Sequence, residues 1–392
     1  MASLLIHADR ALTPTEEIPD AAILIEDGTF VAIGQRSDIR APAGTRVHRA
    51  TGLTAVPGFV DLHVHGAGGH DIMEGSPEAL STIASTLARK GTTSFLATTV
   101  TAQPDLLSRS VQQIADYMSG VTTADAAYPV AQILGIHLEG PFISSLRRGV
   151  HPEAWIALPS IPSFARILES ARGAIRLVTL APELPGALGL ITYAQGAGLI
   201  VAMGHTDATY AQACAAIELG ARHAVHVFNA MRPFSHRETG VLGAILTTRG
   251  VTAELIADCI HVDPPAMRVL LSSKGEDDVL LVSDGTAATG MPDGQYRLGG
   301  FEVLVKEGVC RNSQGRLAGS TLTLDRAVRN IVALGKPLML ALQMATLNPA
   351  RLLGLEKRKG VIAPGADADL VLLNADLQVT GVLTRGFGIA IQ

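Results

Sequence analysis

The chain has 392 residues, of which 47% are hydrophobic and 17% are charged, and its formal net charge is -5. This composition predicts a folded protein with one large core and room for a second, and it excludes intrinsic disorder. The negative charge argues against a nucleic-acid partner, and the three widely spaced cysteines argue against a disulfide framework. The first residues lack a basic segment with a long apolar run, and no stretch reaches about 18 uninterrupted apolar residues, so we expect a cytoplasmic protein with no membrane span.

The two ends of the chain have the same character. Residues 1–55 and 356–392 contain short apolar segments punctuated by glycine, with no helical period. We expect both ends to form one small β-sandwich domain. Residues 56–355 would then be inserted between them as a second domain.

The inserted region alternates apolar strand candidates with helical patterns. The predicted strands cover 56–65, 92–99, 132–140, 175–183, 199–205, 223–229, 251–258 and 278–285. Ser76-Pro77-Glu78 predicts a helix that ends at Gly91, and a second helix is predicted from Asp207 to Gly220. Eight such units predict an α/β fold, a (β/α)8 TIM-like barrel, with a doubly wound open sheet as the alternative.

The first predicted strand ends in His63 and His65. Alternate residues of a strand point to the same side, so both imidazoles face one spot where the strand stops. Two neutral imidazoles presented together are a common start of a transition-metal site. The alternative is two histidines at a solvated strand end.

Three later strands end in further metal-ligand types: Glu139, His205 and His226. A buried carboxylate is costly without a cation, and two histidines with one carboxylate leave coordination positions open, as in catalytic zinc sites. The alternatives are a salt-bridged glutamate and hydrogen-bonded core histidines. His137 and His223 lie earlier in their strands, so we expect them to be structural.

Asp284 ends the eighth predicted strand. A carboxylate beside a metal-bound water can take a proton from it and deliver that proton to a leaving group. The alternative is a helix N-cap, since Asp before Gly285-Thr286 suits capping.

Two segments, 56–66 and 360–371, resemble the amidohydrolase superfamily, a metal-dependent barrel with a small β-sandwich. Six more motifs are similar to the N-acetylglucosamine-6-phosphate deacetylases of that superfamily: HLEGPF at 137–142, GHTDA at 204–208, HVFNAM at 226–231, HVDP at 261–264, SDGTAATG at 283–290 and LAGST at 317–321. Each motif is weak alone, but the ordered set is specific and spans essentially the whole chain. The resemblance implies hydrolysis of N-acetyl-D-glucosamine 6-phosphate to D-glucosamine 6-phosphate and acetate in amino-sugar catabolism.

The resemblance also implies roles for the residues at the strand ends. Glu139, His205 and His226 correspond to the main metal ligands, and Glu139 takes the place of the carbamylated lysine found in many members. His63 and His65 correspond to a pair that holds a second metal in some members. One or two divalent ions per subunit are therefore expected, with zinc first and iron, cobalt or manganese as alternatives.

Asp284 corresponds to the catalytic acid and base of the family. For the substrate phosphate, the resemblance points to Asn229, the backbone of Ala230, and Arg237 from the partner subunit of a homodimer. A guanidinium with backbone N–H groups suits a phosphate dianion, whereas the alternative for Arg237 is a solvated surface charge. The remaining residues expected to contact the substrate are His151, His261, Ala318 and Gly319.

Two other functions compete with this hypothesis. A cyclic-amide hydrolase or a deaminase of the same superfamily would not need the phosphate motif at Asn229 and Arg237. A non-catalytic scaffold would be expected to have lost metal ligands. The sequence leaves open which metal binds, how many bind, and the choice among GlcNAc, GalNAc and ManNAc phosphates.

Overall fold

Two large sheets contain most of the strands, and the computed structural model describes residues 3–120 and 129–390. The strands are β1 Ser3–Leu12, β2 Glu17–Glu26, β3 Thr29–Gln35, β4 Arg46–Pro57, β5 Phe59–Val64, β6 Gly66–Ala67, β7 His70–Asp71, β8 Thr92–Thr99, β9 Gln132–Glu139, β10 Ile175–Leu180, β11 Ile200–Met203, β12 His223–Ala224, β13 Thr252–Leu255, β14 Val279–Leu281, β15 Gly294–Leu298, β16 Phe301–Lys306, β17 Val309–Asn312, β18 Leu370–Leu373, β19 Val379–Thr384 and β20 Phe387–Ala390. The helices are α1 Pro77–Ala88, α2 Pro104–Gly120, α3 Ile161–Ser170, α4 Ala187–Gly196, α5 Tyr210–Glu218, α6 Gly240–Thr247, α7 Pro264–Ser273, α8 Leu324–Ala333, α9 Leu338–Ala345 and α10 Leu347–Leu352.

The larger sheet is a parallel barrel with the strand order β5-β8-β9-β10-β11-β12-β13-β14. Every residue of β5 and β8 is buried, as expected for parallel strands that helices cover on the outside. Backbone hydrogen bonds beyond the end of β14 close the ring. The Asp284 N–H donates to the His63 carbonyl (3.0 Å), and the His65 N–H donates to the Gly285 carbonyl (2.8 Å). The predicted barrel is therefore confirmed over the open sheet.

Several strands are shorter than predicted because the backbone leaves extended geometry at their ends. His205, His226 and Asp284 have φ angles of 47°, 29° and 50°. Residues other than glycine rarely adopt this left-handed conformation, and such strained positions concentrate at functional sites. The turns bring these three side chains to the mouth of the barrel.

The structure tests the predicted ends of two helices, α1 and α5. Ser76 caps α1, and Gly91 follows the helix with a φ of 87°, as predicted. The predicted start of the second helix at Asp207 is wrong, because Thr209 caps α5. Asp207 instead binds Arg147 and Arg232 through its carboxylate.

The smaller sheet joins both ends of the chain in the order β20-β19-β18-β4-β1-β2-β3. Its two faces carry different apolar clusters, one including Ile6 and Phe30 and the other including Leu5 and Leu24. The predicted fold class, a barrel with a small β domain from both termini, is confirmed. The domain limits at residues 55/56 and 355/356 stay a prediction, and residues 1–2 and 391–392 lie outside the described residues.

One element was not predicted. Strands β15 to β17 form a three-stranded antiparallel sheet between β14 and α8. Leu298, the last residue of β15, lines the cavity at the mouth of the barrel. Among the described helices, none combines the length and the apolar character required to cross a bilayer.

Candidate functional site

A cavity of about 210 Å³ lies where the barrel strands end. Ten residues predicted to form the site line it: His65, Glu139, His151, His205, His226, Asn229, Ala230, His261, Asp284 and Gly319. His63 is fully buried, and its ring contacts those of His65 and His226. The structure therefore brings together the side chains that sequence placed at separate strand ends.

The centre of the site is the buried carboxylate of Glu139, at the end of β9. Five imidazole Nε2 atoms surround it. Its Oε1 lies 3.0 Å from His226, 3.2 Å from His205 and 3.3 Å from His63, and its Oε2 lies 3.3 Å from His65 and 3.4 Å from His151.

Three of these imidazoles have a fixed orientation, because each Nδ1 faces an oxygen that can only accept a hydrogen bond. These contacts are His63 to Glu254 Oε2 (2.9 Å), His65 to the Thr98 carbonyl (3.2 Å) and His205 to the Arg147 carbonyl (3.0 Å). Each Nδ1 therefore carries a proton. In the neutral form, the Nε2 lone pair then points at the Glu139 carboxylate, which is repulsive unless a cation lies between them.

The spacing of these atoms fits a metal ion. Ligands bound at about 2.0–2.2 Å in tetrahedral geometry lie about 3.3–3.6 Å apart. The Nε2 atoms of His205 and His226 are 3.1 Å apart, close to that spacing. Among the described residues, Nε2 of His63 is buried without a hydrogen-bond partner. Three groups offer converging ligand atoms: His63, His65 and Asp284; His63, Glu139 and His226; and Glu139, His151 and His205.

The charges of the cluster also call for a cation. Burial lowers the pKa of His63, but the negative charges of Glu139 and Glu254 outweigh it and hold the pKa well above its ordinary value. Burial likewise lowers the pKa of His65, but hydrogen bonds to Asp284 and Glu139 raise it to about 9. Burial lowers the pKa of His205 to about 4, so that imidazole is neutral. A divalent cation would replace the protons that His63 and His65 otherwise hold.

His151 differs from the other imidazoles. The Thr101 backbone N–H donates to its Nδ1 (3.1 Å), so in the neutral ring the proton lies on Nε2. This Nε2 faces Glu139 and the cavity. His151 therefore presents a hydrogen-bond donor, which favours a substrate contact over metal ligation.

His261 is held by a carboxylate that sequence reasoning did not identify. Asp258 Oδ2 lies 2.7 Å from His261 Nδ1, while its Oδ1 accepts the backbone N–H groups of Ile260 and His261. Burial lowers the pKa of His261, but the bond to Asp258 raises it above its ordinary value. Because Nδ1 donates to Asp258, Nε2 donates into the cavity only when the ring carries both protons, the form that Asp258 favours.

Asp284 lies beside the two histidines at the end of β5. Its Oδ1 is 3.3 Å from His65 Nε2 and 3.7 Å from His63 Nε2. Burial raises the pKa of Asp284, but the hydrogen bond from His65 and the positive charge of His63 hold it below its ordinary value. The alternative role as a helix N-cap is wrong, because residues 285–290 form turns and no helix.

Glycine is required beside Asp284. Gly319 has a φ of 58°, and a Cβ there would lie 2.9 Å from the Asp284 carbonyl and 2.6 Å from Thr286 Cγ2. Its neighbour Ala318 is fully buried, and its N–H donates to the Cys310 carbonyl. Gly319 lines the cavity, whereas Ala318 is not among the lining residues.

The residues expected to bind phosphate are divided between the cavity and the surface. Asn229 and Ala230 line the cavity, on a loop where Phe228 and Ala230 have φ angles of 79° and 50°. Arg237 follows on an exposed loop and is not among the residues that line the cavity of its own chain.

Sequence reasoning missed Glu254, a fully buried carboxylate within β13. Its Oε2 accepts from His63 Nδ1 (2.9 Å) and from the His226 backbone N–H (3.0 Å), and its Oε1 lies 3.0 Å from His223 Nε2. A search of strand ends could not find it. A charged residue inside an apolar strand was the available signal, because such burial is costly without partners.

Comparisons of the sequence and of the fold with known proteins point to the same family. Residues 54–387 match the Amidohydrolase family. The chain is 36% identical over 385 residues to an N-acetylglucosamine-6-phosphate deacetylase of Bacillus subtilis, covering 98% of this chain and 96% of the relative. It is 37% identical over 383 residues to an N-acetylgalactosamine-6-phosphate deacetylase of Escherichia coli O157:H7, covering 97% and 98%. A mutant N-acetyl-D-glucosamine-6-phosphate deacetylase of Mycobacterium smegmatis, solved with N-acetyl-D-glucosamine-6-phosphate, superposes with a TM-score of 0.91 at 38% identity over 100% of both chains.

The contacts of Glu254 predict a positioning role. Glu254→Gln keeps the shape of the side chain but removes the charge that orients His63, so we expect affinity for Zn²⁺ to fall by about 10–100-fold. Chelator competition on the folded variant measures this affinity. His223→Gln is the matched control, because it changes the same network without touching His63 or His226. Equal zinc affinity in wild type and Glu254→Gln would contradict the role.

Proposed function

Because the chain belongs to the amidohydrolase family, we infer that it hydrolyses the acetamide of N-acetylglucosamine 6-phosphate, giving glucosamine 6-phosphate and acetate. The observation that carries this inference is the buried Glu139 carboxylate, ringed by imidazoles with Asp284 beside them, at the mouth of the barrel. Similarity over nearly the whole chain to amino-sugar-phosphate deacetylases supports the same reaction.

We propose that Glu139, His205 and His226 hold one divalent metal and that His63 and His65 take part in holding a second. Histidine and carboxylate ligands favour zinc, with iron, cobalt or manganese as alternatives. When bound, such an ion polarises the acetamide carbonyl and lowers the pKa of the water it binds. The Nδ1 contacts of His63, His65 and His205 support the proposal, because they aim the Nε2 atoms at one place.

Asp284 moves the proton in the proposed mechanism. Its pKa lies below its ordinary value, so the carboxylate is ionised and can accept the proton of the attacking water. The amide nitrogen must gain a proton before the carbon–nitrogen bond breaks. Asp284 delivers the same proton there and is ionised again at the end of the cycle.

The substrate is oriented by donors around the cavity. His151, and His261 when its ring carries both protons, present Nε2 donors that stabilise the carbonyl oxygen and bind sugar hydroxyls. Asn229 and the backbone of Ala230 bind the phosphate, and Gly319 lies against the sugar. The contact predicted for Ala318 is not supported, because Ala318 is fully buried and outside the cavity lining. Arg237 completes the phosphate site from the partner subunit of a homodimer, which its exposed position in its own chain supports. A cytoplasmic location likewise remains a prediction.

N-acetylgalactosamine 6-phosphate is a second candidate substrate. The Escherichia coli deacetylase of that sugar phosphate is 37% identical to this chain, and the Bacillus subtilis N-acetylglucosamine-6-phosphate deacetylase is 36% identical. Acetate release should be compared for both phosphates and for unphosphorylated N-acetylglucosamine. We expect the highest kcat/KM with N-acetylglucosamine 6-phosphate and little acetate from the free sugar. Preference for the galactosamine phosphate would reassign the substrate, and no acetate from any of them would refute the function.

The role of Asp284 predicts a catalytic defect without a folding defect. General acid–base catalysis contributes about 10²–10⁴-fold, so Asp284→Asn should lower kcat by at least about 100-fold. Circular dichroism should stay at the wild-type level, and at least one zinc ion per chain should remain bound, because Glu139, His205 and His226 are intact. Asp376→Asn, an exposed change of the same kind, should retain full activity. An Asp284→Asn enzyme with more than about a tenth of wild-type kcat would remove Asp284 from the mechanism.

If Arg237 binds the substrate phosphate of the neighbouring subunit, its loss should weaken substrate binding, and a partner subunit with an intact arginine should restore it. Losing one partner of a charge-assisted contact costs about 2–5 kcal/mol, so Arg237→Ala should raise KM for the phosphorylated sugar by well over tenfold. The exposed neighbour His236 provides the control His236→Ala.

Mixed dimers test whether the arginine acts across the interface. Arg237→Ala and Asp284→Asn subunits together should regain activity, since one site then has both an intact Asp284 and the partner's arginine. No gain in demonstrated mixed dimers would place the arginine within its own site or outside the mechanism.

A further inference from the structure

A second cavity, of about 310 Å³, lies at the other end of the barrel. It opens where β9 and β10 begin, at Gln132 and Arg176, and it also borders Arg385 in the turn between β19 and β20. Both the barrel and the terminal sheet therefore contribute to its wall. Its volume is at the lower end of the range for small-molecule sites.

The charged side chains among the described lining residues carry one sign of charge. Four cations line the cavity: Arg176, Arg358, Lys359 and Arg385. Among the described residues of the lining there is no aspartate or glutamate. We propose that this cavity binds a small phosphorylated metabolite.

Two of the four cations are already neutralised. Lys359 is buried, and its Nζ lies 2.7 Å from Asp369 Oδ2 and 3.0 Å from Asp367 Oδ2. Arg358 forms a forked contact with Asp367. Two carboxylates thus balance Lys359 and Arg358, whereas no carboxylate in the described part of the chain forms an ion pair with Arg176 or Arg385.

The two remaining arginines are incompletely bonded. Arg176 donates through Nη2 to the Leu353 carbonyl, an uncharged acceptor. Nε of Arg385 is buried and, within the described chain, has no hydrogen-bond partner. A buried donor without a partner costs free energy, so the Arg385 guanidinium beside the cavity is incompletely bonded.

The remaining charge selects the class of ligand. Two positive charges match a phosphate monoester, which carries about -1.5 to -2 at neutral pH. Guanidinium groups bind phosphate oxygens through paired N–H donors, and their arrival from separate elements suits an anion with three free oxygens. A monocarboxylate would leave about one charge unbalanced.

This cavity is separate from the catalytic one. Gln132 and Glu139 are the two ends of β9, so a rise of about 3.3 Å per residue puts them about 23 Å apart. A ligand held by Arg176 and Arg385 would link the base of the barrel to the terminal sheet. It would therefore stabilise the folded chain without occupying the active site.

Inorganic phosphate is the probe for the test. Calorimetric titration at constant ionic strength counts all phosphate bound per chain, and competitive inhibition of deacetylation measures the phosphate bound at the active site. We expect one phosphate per chain that does not compete with substrate. Arg176→Gln and Arg385→Gln should each weaken this phosphate by at least about tenfold, because hydrogen bonds between charged groups are lost.

The control is Arg268→Gln, which removes the same charge from the exposed face of α7. It should bind the non-competing phosphate as wild type does. Competitive inhibition and circular dichroism should be unchanged in all three variants. The proposal would be overturned if all phosphate bound by the wild type competed with substrate. It would also be overturned if both Arg176→Gln and Arg385→Gln bound the non-competing phosphate with wild-type affinity. Malonate binding at this site in place of phosphate would show that the ligand class is wrong.

Discussion

Neutral imidazoles around the buried Glu139 carboxylate direct Nε2 lone pairs at it, and this repulsion is relieved only by protons on the rings or by a cation between them. Glu139 is buried away from solvent. The Nδ1 hydrogen bonds of His63, His65 and His205 orient these rings so that each Nε2 points at the Glu139 carboxylate. Protons on His63 and His65 offset part of the negative charge. In our proposal, a divalent cation offsets the rest at the centre of the cluster, where the Nε2 atoms converge. The proposed metal, the proton transfer by Asp284 and the position of the substrate all depend on this convergence.

The barrel makes the convergence geometrically possible. Parallel strands place their carboxyl ends at one mouth, and left-handed residues at His205, His226 and Asp284 turn the side chains inward. The hydrogen bonds that close the ring join the backbones of His63 and Asp284, so closure of the fold and assembly of the site occur at the same residues. Glu254 extends the arrangement below the mouth, because it holds the His63 ring and the His226 backbone together.

The features that sequence predicted are those with a local signal. Apolar runs located the barrel strands, and polar residues at their ends located Glu139, His205 and Asp284. Glu254 has no such signal, since its partner His63 lies 191 positions away and meets it only when the barrel closes. Asp258 was missed for a similar reason, because its role in orienting the His261 ring follows only from the contact between the two side chains in the folded chain. The start of α5 was misplaced because Asp207 and Thr209 are both good caps. Thr209 has the additional local signal, a capping box with Gln212, whereas Asp207 forms ion pairs. Arg237 acts, in our proposal, on another subunit, so a single chain provides no contact that would reveal it.

The central claim is that the cluster around Glu139 works through a bound divalent cation. Elemental analysis of the purified protein, paired with acetate release from N-acetylglucosamine 6-phosphate before and after chelation, tests this claim most directly. We expect at least one metal ion per chain. Acetate release should be lost when that ion is removed and should recover when Zn²⁺ or a similar divalent ion is restored. Undiminished acetate release by a preparation shown to contain no metal would contradict it.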